Sequence, residues 1–224
     1  MEIPGRAHWT EVCHNTKIKC YPSGLKRVTV CTAPIFREPG WEPEHNKPRF
    51  AKPQNPDEES RADNVKRAKE KCFDIAMMNK FDYFITWTLS ADKIDRYNPD
   101  EVSKQLKKFL NNMVCRYDLK YIIIPEHHKD GAIHMHGLIS GNIKLKHATH
   151  KKSGKPMHTT SGKPIYNMPQ WKYGWSTAIE TYGDTEHVAR YITKYITKDF
   201  QKIFGNFTMR VGISSASHVL IWPM

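Results

Sequence analysis

The segment Tyr121–Ser140 carries the side chains of this sequence that are best suited to hold a metal ion. His134 and His136 are two residues apart, so on a β-strand they project from the same face. A turn about Asp130 folds the segment into a hairpin and sets Glu126 opposite or diagonal to the two histidines. Two imidazoles and a carboxylate, without a thiolate, favour an ion such as Mg²⁺, Mn²⁺ or Zn²⁺ that keeps open positions for water or phosphate.

The other histidines of this hairpin leave two interpretations open. His128 has the same parity as Glu126 and is a reserve ligand, whereas His127 faces away if the pairing is regular. In the alternative interpretation, all of these imidazoles are outward side chains on a solvated sheet face and hold no ion. Residue types and spacing alone do not separate the two.

The segment Glu186–Phe200 carries a second group of reactive side chains, in a tandem YITK repeat. On a helix, Tyr191 and Tyr195 are neighbours four residues apart. Lys194 and Lys198 lie on the same side of that helix. A tyrosine hydroxyl, with a pKa of about 10, is a poor nucleophile at neutral pH unless a metal or cation stabilises its ionised form. A lysine supplies part of that charge and also binds phosphate oxygens.

An apolar stripe on the same segment would fix this helix to a sheet and leave the tyrosines free to face a site. The stripe consists of Val188, Ile192, Ile196 and Phe200. The alternative is an ordinary amphipathic helix with an aromatic rim, in which the tyrosines have no chemical role.

The elements that must position these side chains follow from apolar periodicity and turn signals. The predicted elements are a helix over Asp57–Asn79, a strand over Phe81–Ser90, a helix from the N-cap Asn98 to about Tyr117, strands over Leu119–His128, Ile133–Ser140 and Ser176–Glu180, and a helix over Asp184–Phe200. This order predicts an α+β protein with a central antiparallel β-sheet and helices packed on one face. No glycine-rich phosphate loop is present, which argues against an ATPase or a helicase.

The chain divides by composition into two parts. Residues 1–56 contain eight prolines, which interrupt every stretch long enough for a helix. They are predicted to form an irregular N-terminal extension in which only Gly24–Thr32 resembles a strand or hairpin arm. Residues 57–224 are predicted to form the main domain.

Composition restricts the partners and the compartment. The 35 Lys and Arg residues outnumber the 23 Asp and Glu residues, for a net charge of +12, which favours a polyanionic partner. The sequence has no apolar run of the roughly 20 residues needed to span a bilayer, and it begins without a signal peptide. Five scattered cysteines without a CxxC pair fit reduced thiols better than a zinc site with His8 and His14. We therefore expect a cytoplasmic protein without a membrane partner.

The polar stretch between Gly141 and Gly174 combines cations with aromatic residues, as single-strand binding surfaces do. The predicted DNA-binding residues are Lys151, Lys152, Lys155, Trp171 and Tyr173. In the alternative interpretation, the stretch is a solvated insertion whose tryptophans belong to the core.

Taken together, the motifs resemble those of the HUH endonucleases, the single-strand nickases that initiate rolling-circle replication. Their first motif resembles Phe84–Leu89, FITWTL, with Trp87 in place of the usual aliphatic residue. The second is a His-hydrophobic-His pair, here His134-Met135-His136. The paired Tyr191 and Tyr195 resemble the two-tyrosine initiators of small single-stranded DNA phages and related plasmids. The resemblance spans about residues 60 to 205.

The resemblance implies a mechanism, a cofactor and partners. A divalent metal, Mg²⁺ or Mn²⁺, is expected on Glu126, His134 and His136. A tyrosine is expected to nick single-stranded origin DNA, at a hairpin or nick site, to form a 5′-phosphotyrosine link and later to religate the strand. Lys194 and Lys198 are expected to position phosphate oxygens or the tyrosinate. Host helicase and polymerase in a bacterial cytoplasm would complete replication.

Two other functions remain open from the sequence. One is a single-strand transposase of the HUH class, which usually carries one tyrosine, so that Tyr195 counts against it. The other is a non-catalytic nucleic-acid-binding protein in which the histidines are structural.

Overall fold

A boundary at Pro56 divides the chain into two units, residues 1–56 and 57–224. A computed structural model describes residues 13–36, 58–181, 184–196 and 218–220. In the first unit, β1 (Cys13–Cys20) and β2 (Lys26–Phe36) form an antiparallel hairpin. The extension is thus more regular than predicted. Strand β1 was missed because Ile18, its one large aliphatic side chain, is exposed and leaves no alternation of apolar and polar residues.

The second unit is built on one mixed sheet flanked by helices. In chain order its elements are α1 (Glu58–Met78), β3 (Tyr83–Leu89), α2 (Pro99–Tyr117), β4 (Lys120–His127), β5 (Ile133–Ser140), β6 (Lys146–His147), β7 (Tyr166–Asn167), β8 (Gly174–Glu180), α3 (Thr185–Ile192) and β9 (His218–Leu220). The strand order is β6-β7-β8-β3-β5-β4-β9. Six strands pair antiparallel, and the short β9 adds to β4 in parallel. The α+β class predicted from the sequence is confirmed.

Helix α2 begins and ends on local signals that the sequence displays. The Asn98 side chain accepts hydrogen bonds from the backbone N–H groups of Asp100 and Glu101, and Pro99 occupies the first turn. Asp118, in the left-handed region at φ 48°, ends the helix. The predicted start at Asn98 and end near Tyr117 are both confirmed.

The main hydrophobic core lies between α2 and one face of the sheet. Trp87 from β3 stacks on Trp171 at 4.7 Å and meets Phe109 of α2 edge-on at 5.3 Å. Fully buried side chains here include Ile85, Trp87, Leu106, Leu110, Ile123 and Met135. Every second residue of β3 and β5 therefore points into this core.

Helices α1 and α3 pack on the opposite face of the sheet. Ala76 of α1, Val188 of α3 and Leu138 of β5 line one small cavity, and Leu138 has the parity opposite to that of Met135. The expectation that the helices share one face is therefore wrong. The sequence signal for helices on both faces of the sheet is the run Ile122–Ile124. All three residues are buried although neighbouring side chains of a strand point to opposite faces. Among the described residues, no helix combines the length and apolar character needed to cross a bilayer.

Helix α3 is shorter than predicted. It ends at Ile192 and continues as a 3₁₀ turn over Thr193–Tyr195, after which Ile196 is extended and buried. The Thr193 hydroxyl donates to the carbonyl of Arg190 at 2.7 Å, and the β-branched residues of the repeat weaken the helix further. Residues 197–200, the rest of the predicted helix, lie outside the described part of the chain.

The polar stretch after β5 folds into nested turns at the sheet edge. Strands β6 and β7 pair, and isolated bridges join Thr149 to Pro156 and His158 to Pro164. Backbone hydrogen bonds link Ala148, Met157 and Ile165 into one ladder. The stretch predicted only as polar sequence is thus a small structured extension of the sheet.

Candidate functional site

The strand register brings the predicted hairpin residues onto one face. Glu126 of β4 pairs with His134 of β5 and is diagonal to His136, as the hairpin prediction required. On the other side of β5, Thr88 pairs with His134 and Thr86 with His136. This face is the one opposite the α2 core.

His136 and Glu126 form the centre of the site. The His136 Nε2 atom lies 2.9 Å from a Glu126 carboxylate oxygen. Burial, and then the neighbouring His134, lower the pKa of His136 to about 4, while burial raises the pKa of Glu126. The imidazole is therefore neutral at pH 7, and the contact is a hydrogen bond rather than an ion pair. A neutral imidazole is also the form that binds a metal.

The second ring nitrogen of His136 faces Thr86. The Nδ1 atom lies 3.2 Å from the Thr86 hydroxyl, which both accepts and donates hydrogen bonds. With Nε2 protonated toward Glu126, Nδ1 accepts from Thr86. With Nε2 bound to an ion, Nδ1 would carry the proton and donate to Thr86. The hydroxyl thus holds the ring orientation in either tautomer.

The tyrosine pair lies directly against this imidazole. The ring of Tyr195 stacks on His136 with 3.8 Å between centroids and 15° between planes, and its hydroxyl donates to the Tyr191 hydroxyl oxygen at 3.0 Å. Burial raises the pKa of Tyr195, and the hydrogen bond to Tyr191 and the charge of Glu126 raise it further. Two elements distant in sequence therefore meet at one site.

Phe84 supports the tyrosines from the sheet. Its ring meets Tyr191 edge-on at 5.2 Å and lies 6.1 Å from the ring of Tyr195. Neither Phe84 nor Thr86 was predicted as a site residue. The sequence does contain a signal for them. Side chains alternate between the two faces of a strand, so Phe84 and Thr86 project from the same face of β3, and Thr86 pairs with His136.

The two lysines of the repeat differ in what the structure describes. The exposed Lys194 places its ammonium 5.0 Å above the ring of Tyr191, a cation–π contact. Lys198 lies outside the described residues. Lys194 thus lies beside one of the two tyrosines that it was predicted to assist.

His134 is held by a second set of contacts. Its ring stacks on His128 at 4.8 Å, and burial followed by the charge of His128 lowers its pKa. Asp130 in turn contacts both His128 and Arg96 at 3.3 Å. His128, which the sequence predicted as a reserve ligand, therefore packs on His134 and lies on the same face of the sheet.

The donor chemistry fits a divalent ion in part. Two ligand atoms bound at about 2.1 Å and nearly at right angles would lie about 3 Å apart, close to the Glu126–His136 separation. Within the described residues, no three His, Cys, Asp or Glu side chains form a group that could hold a metal ion. The third predicted ligand, His134, would need to turn from His128 toward this pair.

The predicted DNA-binding residues separate into two groups. Lys151, Lys152 and Lys155 are exposed on a turn of the sheet extension. Trp171 is only 4% exposed, stacks on Trp87 and donates its indole N–H to the carbonyl of Thr88 at 3.2 Å. Its predicted role in DNA binding is wrong, since neither face of the indole is free for a base.

Tyr173 lies at the edge of the core. It is half-buried, its ring meets Trp171 and Phe109 edge-on, and its hydroxyl donates to Gln105 at 3.3 Å. These packing contacts account for the position of the Tyr173 side chain.

The fold and the site together define an α+β protein that carries a carboxylate, histidines and two tyrosines on one face of a largely antiparallel sheet. Residues 82–200 match the family described as replication-associated protein ORF2. The match covers more than half of the chain, so the protein belongs to this family and its role lies in DNA replication. The matched segment contains all of the site residues described above. Comparison with curated proteins and with solved structures finds no match.

Proposed function

We propose that the protein is a replication initiator that nicks single-stranded origin DNA through a tyrosine nucleophile during rolling-circle replication. The observation that carries this proposal is the packing of Tyr195, hydrogen-bonded to Tyr191, against the His136–Glu126 pair. Membership of a replication-associated family supports it independently. The substrate is then an origin strand exposed at a hairpin or nick site.

A divalent metal, Mg²⁺ or Mn²⁺, is proposed at Glu126 and His136, with His134 as the third ligand. When bound, such an ion polarises the scissile phosphate and stabilises negative charge on it. The protein's own contribution is to present a neutral imidazole and a carboxylate with their ligand atoms 2.9 Å apart. Thr86 holds the imidazole in orientation.

The chemical step joins a tyrosine oxygen to phosphorus and releases the 3′ oxygen of the preceding nucleotide. The phenolic proton is lost to solvent or a base, and the released 3′ oxygen gains a proton. The product is a 5′-phosphotyrosine link with a free 3′-OH that can prime synthesis. Attack by a 3′-OH on this link reverses the step, so that religation needs no ATP.

The neighbouring residues assist this step in different ways. Lys194, beside the Tyr191 ring, offsets part of the charge of a tyrosinate or a phosphate oxygen. Lys198 is assigned the same role from the repeat alone. Two tyrosines in one site allow the second to cleave the regenerated origin after the first has reacted. Host helicase and polymerase in the bacterial cytoplasm supply unwinding and synthesis.

An adduct assay tests the proposal. The protein is mixed with Mn²⁺ and labelled single-stranded origin candidates, and covalent protein–DNA product is sought on a denaturing gel. We expect an adduct that EDTA and the Tyr191→Phe/Tyr195→Phe double variant both abolish. Tyr166→Phe is the matched control, since Tyr166 packs with Tyr83 and His147 and not with the pair. An adduct that survives both treatments contradicts the mechanism.

A non-catalytic nucleic-acid-binding function is the second candidate. The observation that favours it is that the described residues hold no three-ligand group around a single point. Specific binding of origin DNA without any adduct, in the presence of Mn²⁺, would support this candidate. The single-strand transposase alternative gains nothing from the structure, since the second tyrosine, Tyr195, lies in the site with Tyr191.

A further inference from the structure

The face of the sheet that carries the site is covered unevenly. At the row of Phe84 and Leu138, helices α1 and α3 and the tyrosine pair cover the strands, and Leu138 is buried. In the row of Thr88 and His134, both of these side chains are half-buried and His128 packs on His134. Trp175 of β8 lies in that row and is 59% exposed.

Trp175 is aligned with the site by direct strand pairing. Thr88 pairs with Trp175 on one side and with His134 on the other, and His134 pairs with Glu126. Neighbouring strands are about 4.8 Å apart, so the backbone of Trp175 lies roughly 10 Å from that of His134. The four residues form one row across the open end of the sheet.

Trp175 differs from the other described tryptophans. Trp87 and Trp171 stack on each other inside the core. The Trp175 indole has no ring or hydrogen-bond contact among the described residues, so it offers a bare aromatic surface. A flat ring standing on an open sheet is the feature on which unpaired bases stack. The charged group in this row is Glu126, which repels phosphate unless a cation is bound. A base, rather than a phosphate, therefore fits beside the indole.

We infer that Trp175 is the platform on which an unpaired base of the substrate strand stacks, close to the scissile phosphate. The identity of the ligand as single-stranded DNA rests on the proposed function. The strand then lies across β8, β3 and β5, with its backbone reaching the Glu126–His136 pair and a base held by Trp175.

The test measures binding without chemistry. Anisotropy of labelled oligo(dT) is recorded in EDTA with the Tyr191→Phe/Tyr195→Phe background. Trp175→Ala is expected to weaken binding by about 5- to 150-fold, the range for loss of one base–aromatic stack, while Trp175→Phe retains most of the affinity. The control is Met78→Ala, which removes an equally exposed apolar side chain from α1. The salt dependence should not change, because the indole neutralises no phosphate.

An abasic strand of the same length distinguishes stacking from other effects. The Tyr191→Phe/Tyr195→Phe protein should bind it equally with and without Trp175→Ala, because it has no base to stack. The inference is overturned if the Trp175→Ala variant binds oligo(dT) like wild type, or if it loses the same factor on the abasic strand. It is also overturned if the variant alters only self-association. If adducts form equally with and without Trp175, the nickase proposal stands and this inference fails. If binding depends on Trp175 and on the base but no adduct forms, this inference stands and the nickase proposal fails.

Discussion

The two faces of the central sheet carry two clusters of aromatic rings with different roles. On the α2 face, Trp87, Trp171 and Phe109 interlock within about 5 Å and are closed to solvent. On the other face, His136 and Tyr195 stack as closely but keep hydroxyls and ring nitrogens at a half-open surface. Strand β3 contributes Trp87 to the first cluster and Phe84, from its other face, to the second. Similar ring packing therefore stabilises the fold on one face and positions reactive groups on the other.

The largest expected effect is on the chemistry of the open face. Replacing Tyr191 and Tyr195 together by phenylalanine should reduce adduct formation to background, because no nucleophilic oxygen remains. The cost in unfolding free energy should stay near 1 kcal/mol, since one hydroxyl–hydroxyl hydrogen bond is lost and the rings remain. Adduct yield and urea unfolding measure the two quantities. A strongly destabilised double variant would show that the tyrosines belong to the core instead.

The core face should give the opposite result. Trp87→Ala should lower the free energy of unfolding by about 3–5 kcal/mol, because apolar packing is removed and a cavity is left behind. Trp175→Ala, the same change at an exposed position, should alter it by no more than about 0.5 kcal/mol. Chemical denaturation of both variants provides the comparison. Equal losses would contradict the distinction between the two faces.

The pKa of His136 predicts a pH dependence of stability in EDTA. The folded-state pKa of about 4 lies below the usual 6.5, so the unfolded chain binds more protons between these values. Stability should therefore fall as pH drops from about 6.5 to 4, by up to about 3 kcal/mol for this group, whose side chain is 12% exposed. Denaturation curves across this range test it. His136→Asn should flatten the slope, and an unchanged slope would assign the effect to another group.

A smaller effect is expected from the hydroxyl that orients His136. Thr86→Val should weaken Mn²⁺ binding by about 10- to 100-fold, the usual loss when a hydrogen bond to a metal ligand is removed. Thr86→Ser should restore it. Thr88→Val is the matched control, because Thr88 shares the strand face and pairs with His134. Titration calorimetry with Mn²⁺ measures all three, and equal losses for the two valine variants would contradict a positioning role for Thr86.

The smallest effect is expected at the sheet extension. Neutralising Lys151, Lys152 and Lys155 with glutamine should weaken single-stranded DNA binding and reduce the steepness of its salt dependence by about 0.7 for each phosphate that a lysine no longer neutralises. Binding titrations at several salt concentrations test this. An unchanged affinity and slope would remove these lysines from the interface.

Sequence reasoning succeeded where the signal is local. Asn98 and Pro99 indicate the start of α2. Strand parity places Glu126, His134 and His136 on one face. It failed where burial by distant residues decides. Trp171 has the composition of a DNA-binding aromatic, yet Trp87 and Phe109 enclose it. The apolar stripe also predicted that α3 continues to Phe200, whereas the helix ends at Ile192 and the buried Ile196 is extended.

The net charge follows from the composition of the whole chain. The parity of the hairpin and the tandem tyrosines follow from residues close together in the chain, as do the main helices and strands. The tertiary structure adds three contacts: the hydrogen bond between Glu126 and His136, the packing of His134 on His128, and the stacking of Tyr195 on the His136 imidazole. Of these contacts, the stacking of Tyr195 on His136 joins segments that lie far apart in the chain, whereas the other two select particular partners within the hairpin. Their partners are selected by strand register and by the packing of α3 against the sheet, which no local pattern encodes.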